Sequence, residues 1–331
     1  MENQPQTPIS NRGFDAQFLS IVPRYNPLVL SRFIASVDNV RIKYVYQKSA
    51  YDFEKHARFD VLDGLCRKLT SIELWNRGDF DIDVGHDSFF GLGRYLRTIT
   101  YKLADGNSFA LLVGRFCTDN SVKQLAPEII LDFNPNKIPE HIWRQVARIL
   151  SPMAIEIAVQ RFDLAIDIPM HRDQLELIRR SGSAYQKNIS SDGKAVTEYT
   201  GERSKHAEIK LYDKGEEIGV PDLVCTRCEI TIDPKKYNGI VGLFPEIISL
   251  VSAHMDVAFH DLPFPVQAVI LHPDLHDLLK DSCCGNTWRK YRKMIEAYGT
   301  TYYTLTDDEC SAVDFYLFHT LDSLASVGAS A

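Results

Sequence analysis

The sequence predicts an α+β protein: mainly antiparallel sheets with flanking helices, room for two similar sheet halves, and a helical C-terminal region. Three observations carry that prediction. Alternating and helically periodic segments follow one another as strand, helix, strands, helix, strands, helices, without the regular βαβ order of a parallel sheet. Neighbouring strand-like segments are joined by short turns such as Asp105-Gly106-Asn107, which suit antiparallel hairpins. Neither GxGxxG nor GxxxxGKS/T occurs, so the glycine-rich phosphate loops of doubly wound nucleotide-binding folds are not supported.

The elements follow in order. Residues 1–12 are polar and rich in Gln, Asn and Pro and read as a short disordered lead-in. Residues 39–47 alternate as a strand, and 51–69 carry Phe53, His56, Phe59, Leu62 and Leu65 at helical spacing. Gly85, Gly91 and Gly93 then mark turns. Strands are expected at 95–103, 108–116 and 128–133, the last stopped by Asn134-Pro135-Asn136. Residues 139–159 read as a helix that Pro152 interrupts. A strand follows over 160–168, then a short helix over 171–180, and 181–194 reads as a mobile loop. Three strands (195–200, 206–212 and 224–233) precede a mostly helical remainder at 241–259, 273–281, 287–298 and 307–327. The division expected is a lead-in at 1–12, an α+β domain at 13–127, a core at 128–260 and a helical region at 261–331.

Composition bounds the function without fixing it. Hydrophobic residues are 45% and charged residues 24% of the 331, ordinary values for a globular protein. No run approaches the roughly 20 apolar residues of a membrane span, and the start lacks the apolar core of a signal peptide. A cytoplasmic location is expected. Seven cysteines, an odd number, argue against a disulfide framework. Cys225 and Cys228 lie in an alternating apolar stretch with no second pair, so they read as core thiols rather than zinc ligands. The net charge of −7 gives no global nucleic-acid signal, and any DNA-binding charge has to be concentrated on one face.

Three strands carry a polar row each, because every second side chain of a strand shares a face. The rows are Arg161, Asp163, Ala165 and Asp167; His206, Glu208, Lys210, Tyr212 and Lys214; and Arg227, Glu229, Thr231 and Asp233. Aspartate is depleted in strands, yet two occupy one of these. Two readings stand open. Asp163, Asp167 and Glu229 offer oxygen ligands to Mg²⁺ or Mn²⁺, or Arg161, Lys210 and Arg227 on the same faces pair with them as internal salt bridges. Tyr212 falls on the charged row between Lys210 and Lys214. Nearby cations favour phenolate over the ordinary phenol pKa of about 10, a setting that suits a nucleophile.

Four short motifs in order resemble the rolling-circle replication initiation factors, the family of plasmid initiators and integrative-element relaxases. They are Arg161-Phe162-Asp163-Leu164-Ala165-Ile166-Asp167, Tyr199-Thr200-Gly201-Glu202-Arg203-Ser204, Ile209-Lys210-Leu211-Tyr212-Asp213-Lys214 and Thr226-Arg227-Cys228-Glu229-Ile230. Phe133-Asn134-Pro135-Asn136 is a weaker upstream element. The resemblance implies that 128–260 is a nicking core in which Tyr212, assisted by Lys210, cleaves one strand at an origin. A 5′-phosphotyrosine link and a free 3′-hydroxyl result, and rejoining follows. It further implies a Mg²⁺ or Mn²⁺ ion on Asp163, Asp167 and Glu229, and phosphate contacts from Arg203, Lys214 and Arg227. Lys210 stands where arginine is commoner in the family, replacing a bidentate grip with a point charge. The implied partners are origin DNA (a single-stranded or hairpin nick site with flanking duplex), a host helicase and a second copy of the chain. Outside the core, Arg289, Lys290, Arg292 and Lys293 interleave with Trp288 and Tyr291 at helical spacing. They read either as a solvated helix face or as a duplex-binding element. A conjugative relaxase, a non-cleaving DNA-binding regulator, and a water-using phosphodiesterase with a structural Tyr212 are the competing functions.

Overall fold

The computed structural model describes residues 16–23, 25–46, 80–83, 97–113, 128–152, 154–178, 183–190, 196–202, 205–220, 222–250, 257, 259–272, 275–298 and 301–326. The expected helix at 51–69, the glycine turns at 85–93 and Arg203 lie outside them. The first described elements are α1 (Ala16–Ser20), β1 (Leu28–Val29), β2 (Ile34–Tyr46), β3 (Phe80–Asp83), β4 (Arg97–Leu103), β5 (Ser108–Val113) and β6 (Glu128–Phe133). Next come α2 (Glu140–Leu150), β7 (Ala154–Ile168), β8 (Leu175–Leu177), β9 (Tyr185–Ile189), β10 (Val196–Thr200), β11 (Ile209–Asp213), α3 (Lys214–Ile218) and β12 (Thr226–Ile232). The chain ends with β13 (Ile247–Ser249), α4 (Phe264–Leu271), α5 (His276–Ser282), α6 (Gly285–Tyr298), β14 (Thr301–Tyr303) and α7 (Asp307–Ser326). The architecture is α+β with antiparallel pairing and a helical C-terminal region, as the alternation and hairpin turns predict.

The main sheet has eleven strands in the order β3-β4-β5-β6-β2-β7-β12-β11-β10-β9, with β1 on β2. Its two halves repeat one plan. Each puts its first strand at the centre (β2 or β7), its last strand beside that (β6 or β12), and three more outward in reverse chain order. The two long central strands pair with each other from Ile34↔Asp167 to Tyr46↔Ala154. The chain passes between halves through α2, so β6 belongs to the first half although the sequence groups it with the core. A small sheet, β14-β13-β8, lies apart.

One face of the main sheet is the core. Val37, Val40, Ile42 and Tyr44 of β2, Phe162, Leu164, Ile166 and Ile168 of β7, and Cys228, Ile230 and Ile232 of β12 are buried there. Trp143 and Val146 of α2 and Val313 and Leu317 of α7 pack into the same cluster. Tyr46 anchors α2 by donating its hydroxyl to the Leu150 carbonyl at 2.8 Å. Fully burying one such aliphatic or aromatic side chain contributes roughly 1.5–3 kcal/mol, so this face, not strand propensity, fixes the register. Cys225 and Cys228 are buried and unbridged, in keeping with core thiols.

The structure departs from the sequence reading in four places. The expected helix over 139–159 ends at Leu150, and 154–159 belongs to β7. Pro152 stops the helix, and the apolar run beyond it finds a strand partner in β2. The expected helix over 171–180 is a single 3₁₀ turn followed by β8, whose Leu175 and Leu177 are buried. The expected loop over 181–194 contains β9, an edge strand whose half-exposed position suits its polar composition. Within the expected helix over 241–259, residues 241–250 hold a 3₁₀ turn and β13 instead, and most of the remainder lies outside the described residues. No helix among the described residues is long and apolar enough to cross a membrane.

Candidate functional site

The three polar rows come together because β7, β12 and β11 are adjacent. Cross-strand registers bring Tyr212 opposite Arg227 and Arg227 opposite Asp167, Lys210 opposite Glu229, and Thr231 opposite Asp163. These residues therefore share the sheet face opposite the core. That face forms the floor of a cleft of about 980 Å³. Its walls are the β4–β5 hairpin tip (Gly106 to Ala110) on one side and Thr197 and Tyr199 of β10 on the other.

Tyr212 opens on this cleft and donates its hydroxyl to Glu229 Oε1 at 2.5 Å. Lys210 holds the other carboxylate oxygen, with Nζ 3.2 Å from Oε2. Burial and the Glu229 charge push the Tyr212 pKa well up, and only Arg227 among the leading influences lowers it. The flanking lysines therefore do not lower the phenol's pKa as expected, because burial and Glu229 outweigh them. Glu229 is itself raised above the ordinary carboxylate range, first by burial and then by the charge of Asp38. Burial opposes the charge on Lys210, but Glu229 and Asp163 more than offset that, so its pKa is raised. A carboxylate that accepts the hydrogen bond of a phenol stands where a general base would take its proton.

The three expected metal ligands do not converge. Asp167 is 1% exposed, and both its oxygens are taken by Arg227, Nε to Oδ1 at 2.6 Å and Nη2 to Oδ2 at 2.8 Å. Glu229 is occupied as described. Asp163 Oδ1 accepts from the Thr231 hydroxyl at 2.8 Å, and Arg161 Nη2 lies 3.3 Å from it. Each carboxylate therefore has one cation of the same polar rows as its partner, which is the salt-bridge alternative left open by the sequence. Among the described residues no three His, Cys, Asp or Glu side chains are grouped to hold a metal. The set Asp163, Asp167 and Glu229 does not fit the implied ion, because the oxygens it needs are committed to guanidinium, ammonium and hydroxyl donors.

The expected DNA contacts separate into two groups. Arg227 is 4% exposed and Lys214 7%, so neither presents its charge to a ligand. Arg227 is locked on Asp167. Lys214 has left the polar row because the strand ends at Asp213, whose side chain caps α3 by accepting from Glu216 N at 2.9 Å. Lys214 then pairs with Glu217 one turn on. The basic residues of α6, in contrast, are exposed: Arg289, Lys290, Arg292 and Lys293 all face solvent. Trp288, Tyr291, Met294, Ile295 and Tyr298 turn inward, the last four onto a separate small core with Val266 and Ile270 of α4. Arg292 is tied to Glu296 at 2.6 Å.

Sequence reasoning missed Asp38. It sits in a β-bulge of β2, between Val37↔Leu164 and Asn39↔Asp163. The bulge lets it reach the polar face, where it lies 3.5 Å from Arg227 Nη1 and accepts from Asn134 Nδ2 at 3.0 Å. Asn134 in turn accepts from Asn136 N, and Asn136 Nδ2 donates to the Val37 carbonyl at 3.0 Å. The Asn134-Pro135-Asn136 turn is thus the brace of the bulge. Asp38 and Asn134 both line the cleft. The one available signal was an aspartate in an otherwise strand-like run.

No family model matches the chain, and no curated protein matches it. Among solved structures the chain is similar to a rolling circle replication initiator protein from Geobacillus stearothermophilus. The two are 15% identical, the match covers 88% of this chain and 96% of that one, and the TM-score is 0.35.

Proposed function

We propose that this chain is a rolling-circle replication initiator that nicks one DNA strand with Tyr212 as nucleophile. The observation that carries the proposal is the Tyr212–Glu229–Lys210 triplet on the floor of an open cleft, at the positions where the sequence resembles that family. In the reaction the Tyr212 hydroxyl oxygen attacks the scissile phosphorus while its proton passes to Glu229 Oε1. The bond from phosphorus to the 3′-oxygen breaks, and that oxygen leaves and takes a proton from water. The product is a 5′-phosphotyrosine with a free 3′-hydroxyl, and reversal rejoins the strand. The Lys210 ammonium offsets the negative charge that grows on the phosphate oxygens, and Arg227, held beside Tyr212, adds to the positive field. The implied Mg²⁺ or Mn²⁺ remains part of the proposal as a requirement to be tested, and no step is routed through it. A host helicase and a second copy of the chain are proposed partners on the resemblance alone, and the cytoplasm is the proposed location.

The test is incubation of the purified full chain with a supercoiled plasmid carrying its gene and flanking DNA, with Mg²⁺ or with EDTA, read on a denaturing gel. The expected result is a covalent protein–DNA adduct with wild type and none with Tyr212→Phe. Nicking without an adduct would indicate a water-using phosphodiesterase, and binding without nicking a regulator of the same fold. Transfer genes rather than an inverted repeat beside the gene would assign the same chemistry to a relaxase.

A further inference from the structure

The centre of the main sheet carries an arrangement that the nicking chemistry does not use. Arg41 of β2 and Arg161 of β7 are direct cross-strand partners, one on each of the two central strands. Like charges opposite each other in a sheet destabilise it. Here each guanidinium has one carboxylate beside it, Arg41 across the sheet on β6 and Arg161 two residues along its own strand. Arg41 Nε lies 2.7 Å from Asp132 Oδ2 on β6, and Arg161 Nη2 lies 3.3 Å from both oxygens of Asp163. The cross-strand row therefore reads Asp132, Arg41, Arg161, with Asp163 in the next row along β7, so two adjacent guanidiniums share one carboxylate within the row.

The compensation is incomplete. The contact to Asp163 is long for a charge-assisted bond, which is ordinarily about 2.7–2.9 Å. Arg161 Nε is buried with no hydrogen-bond partner, a condition that costs free energy unless an acceptor arrives. Both side chains still reach solvent, at 31% and 18% exposure. Asp132 and Asp163 line the cleft, so the pair sits at its edge. Along β7, Arg161 is four residues from Ala165, the partner of Glu229, which is about 13 Å at 3.3 Å per residue.

We infer that Arg41 and Arg161 form a phosphate clamp that grips the single strand at a nucleotide away from the scissile phosphate. An anion between the two guanidiniums removes their repulsion and adds an acceptor for the Nη groups that reach solvent, and the planar forks suit phosphate oxygens. A clamp displaced from Tyr212 fixes the register of the strand, since phosphate contacts position a nucleic acid without reading its bases. This inference rests on the proposed function, because it takes the cleft to hold DNA.

The test uses the full chain and a fluorescein-labelled single-stranded oligonucleotide, with anisotropy measured across a salt series. Arg41→Gln and Arg161→Gln are each expected to bind about tenfold more weakly, the effect of removing one charge-assisted bond. The slope of log affinity against log salt should shrink by about 0.7 for each phosphate that the variant no longer neutralises. Asp132→Asn keeps both arginines and frees Arg41, and is expected to bind more tightly than wild type, a gain that should vanish in Asp132→Asn combined with Arg41→Gln, whereas a general charge effect would survive there. Unchanged affinity and slope in both arginine variants, or unchanged or weaker binding in Asp132→Asn, overturns the clamp. Failure of the wild type to bind single-stranded DNA at low salt overturns the proposed function instead.

Discussion

Replacing Asp167 by Asn separates two accounts of the polar face by their effect on stability. If Asp167 were held in reserve for a cation, removing its charge would relieve repulsion among carboxylates, and the metal-free protein would become no less stable. The geometry requires the opposite. Asp167 is 1% exposed and makes two parallel bonds to an Arg227 that is itself 4% exposed. Its loss leaves the buried guanidinium with a neutral amide oxygen and with Asp38 at 3.5 Å as its remaining charged partner. Breaking a buried pair on one side typically costs about 3–5 kcal/mol. At about 2 °C per kcal/mol for a large domain, the melting temperature should fall by roughly 6–10 °C. Urea unfolding in EDTA, monitored by tryptophan fluorescence, gives the free energy directly. The double variant Asp167→Leu with Arg227→Met should recover most of the loss, because it removes both charges. A cost below about 1 kcal/mol for Asp167→Asn, or a double variant no more stable than Asp167→Leu alone, would refute the ion-pair account.

Further outcomes are expected at other positions. Glu229 must be ionised to take the Tyr212 proton, and its pKa is raised, so the nicking rate should fall with decreasing pH at a point above the ordinary glutamate range. The same shift makes the fold favour the protonated form. Its contribution to stability is therefore present at low pH and is lost as pH rises through the folded-state value. Glu229→Gln should abolish the acid limb and slow adduct formation by about 10²–10⁴-fold. Asp38→Asn removes a negative charge that raises Glu229, so the acid limb of the rate profile should move to lower pH. Gly201 has φ +94° and leaves a Cβ only 2.7 Å from the Ala207 carbonyl oxygen. Gly201→Ala should therefore cost more than about 1 kcal/mol in chemical denaturation. Converting Arg289, Lys290 and Lys293 to Ala should leave stability within about 0.5 kcal/mol and weaken duplex binding in a gel-shift assay, with a reduced salt slope.

The polar face was legible because a strand has a period of two. That rule alone put Asp163, Glu229, Lys210 and Tyr212 on common faces, and the registers keep them there. What the rule does not contain is which strand lies next to which, so it left cation binding and ion pairing equally open. Adjacency of β7, β12 and β11 brings each carboxylate to a cation of a polar row, as the pairing reading expects. Departures from strict alternation were illegible for the same reason. Asp38 reaches the site only through a bulge, and Lys214 leaves it because Asp213 ends the strand by capping a helix. β9 was read as a loop because an edge strand with half-exposed sides needs little apolar sequence. The pair Arg41 and Arg161 illustrates the limit most plainly, since 120 positions of sequence separate two side chains that are direct partners.

The repeat of the sheet plan explains why the chemistry sits where it does. Only the second half supplies Tyr212, Lys210 and Glu229, yet the carboxylate that raises Glu229 is Asp38 of the first half, and Asn134 that holds Asp38 follows β6 of the same half. A pleated sheet continuous through β2 and β7 transmits these positions rigidly, because the two strands are tied along most of their length. Each half also carries its own cross-strand Arg–Asp pair, Arg41 with Asp132 and Arg227 with Asp167, but with different fates. The second is sealed and holds the surroundings of Tyr212 in place. The first is partly open to solvent, which leaves its guanidinium free to exchange a carboxylate for a phosphate. On the proposed function, two copies of one framework divide the work, one fixing Tyr212 and its partners and the other offering a grip for the strand.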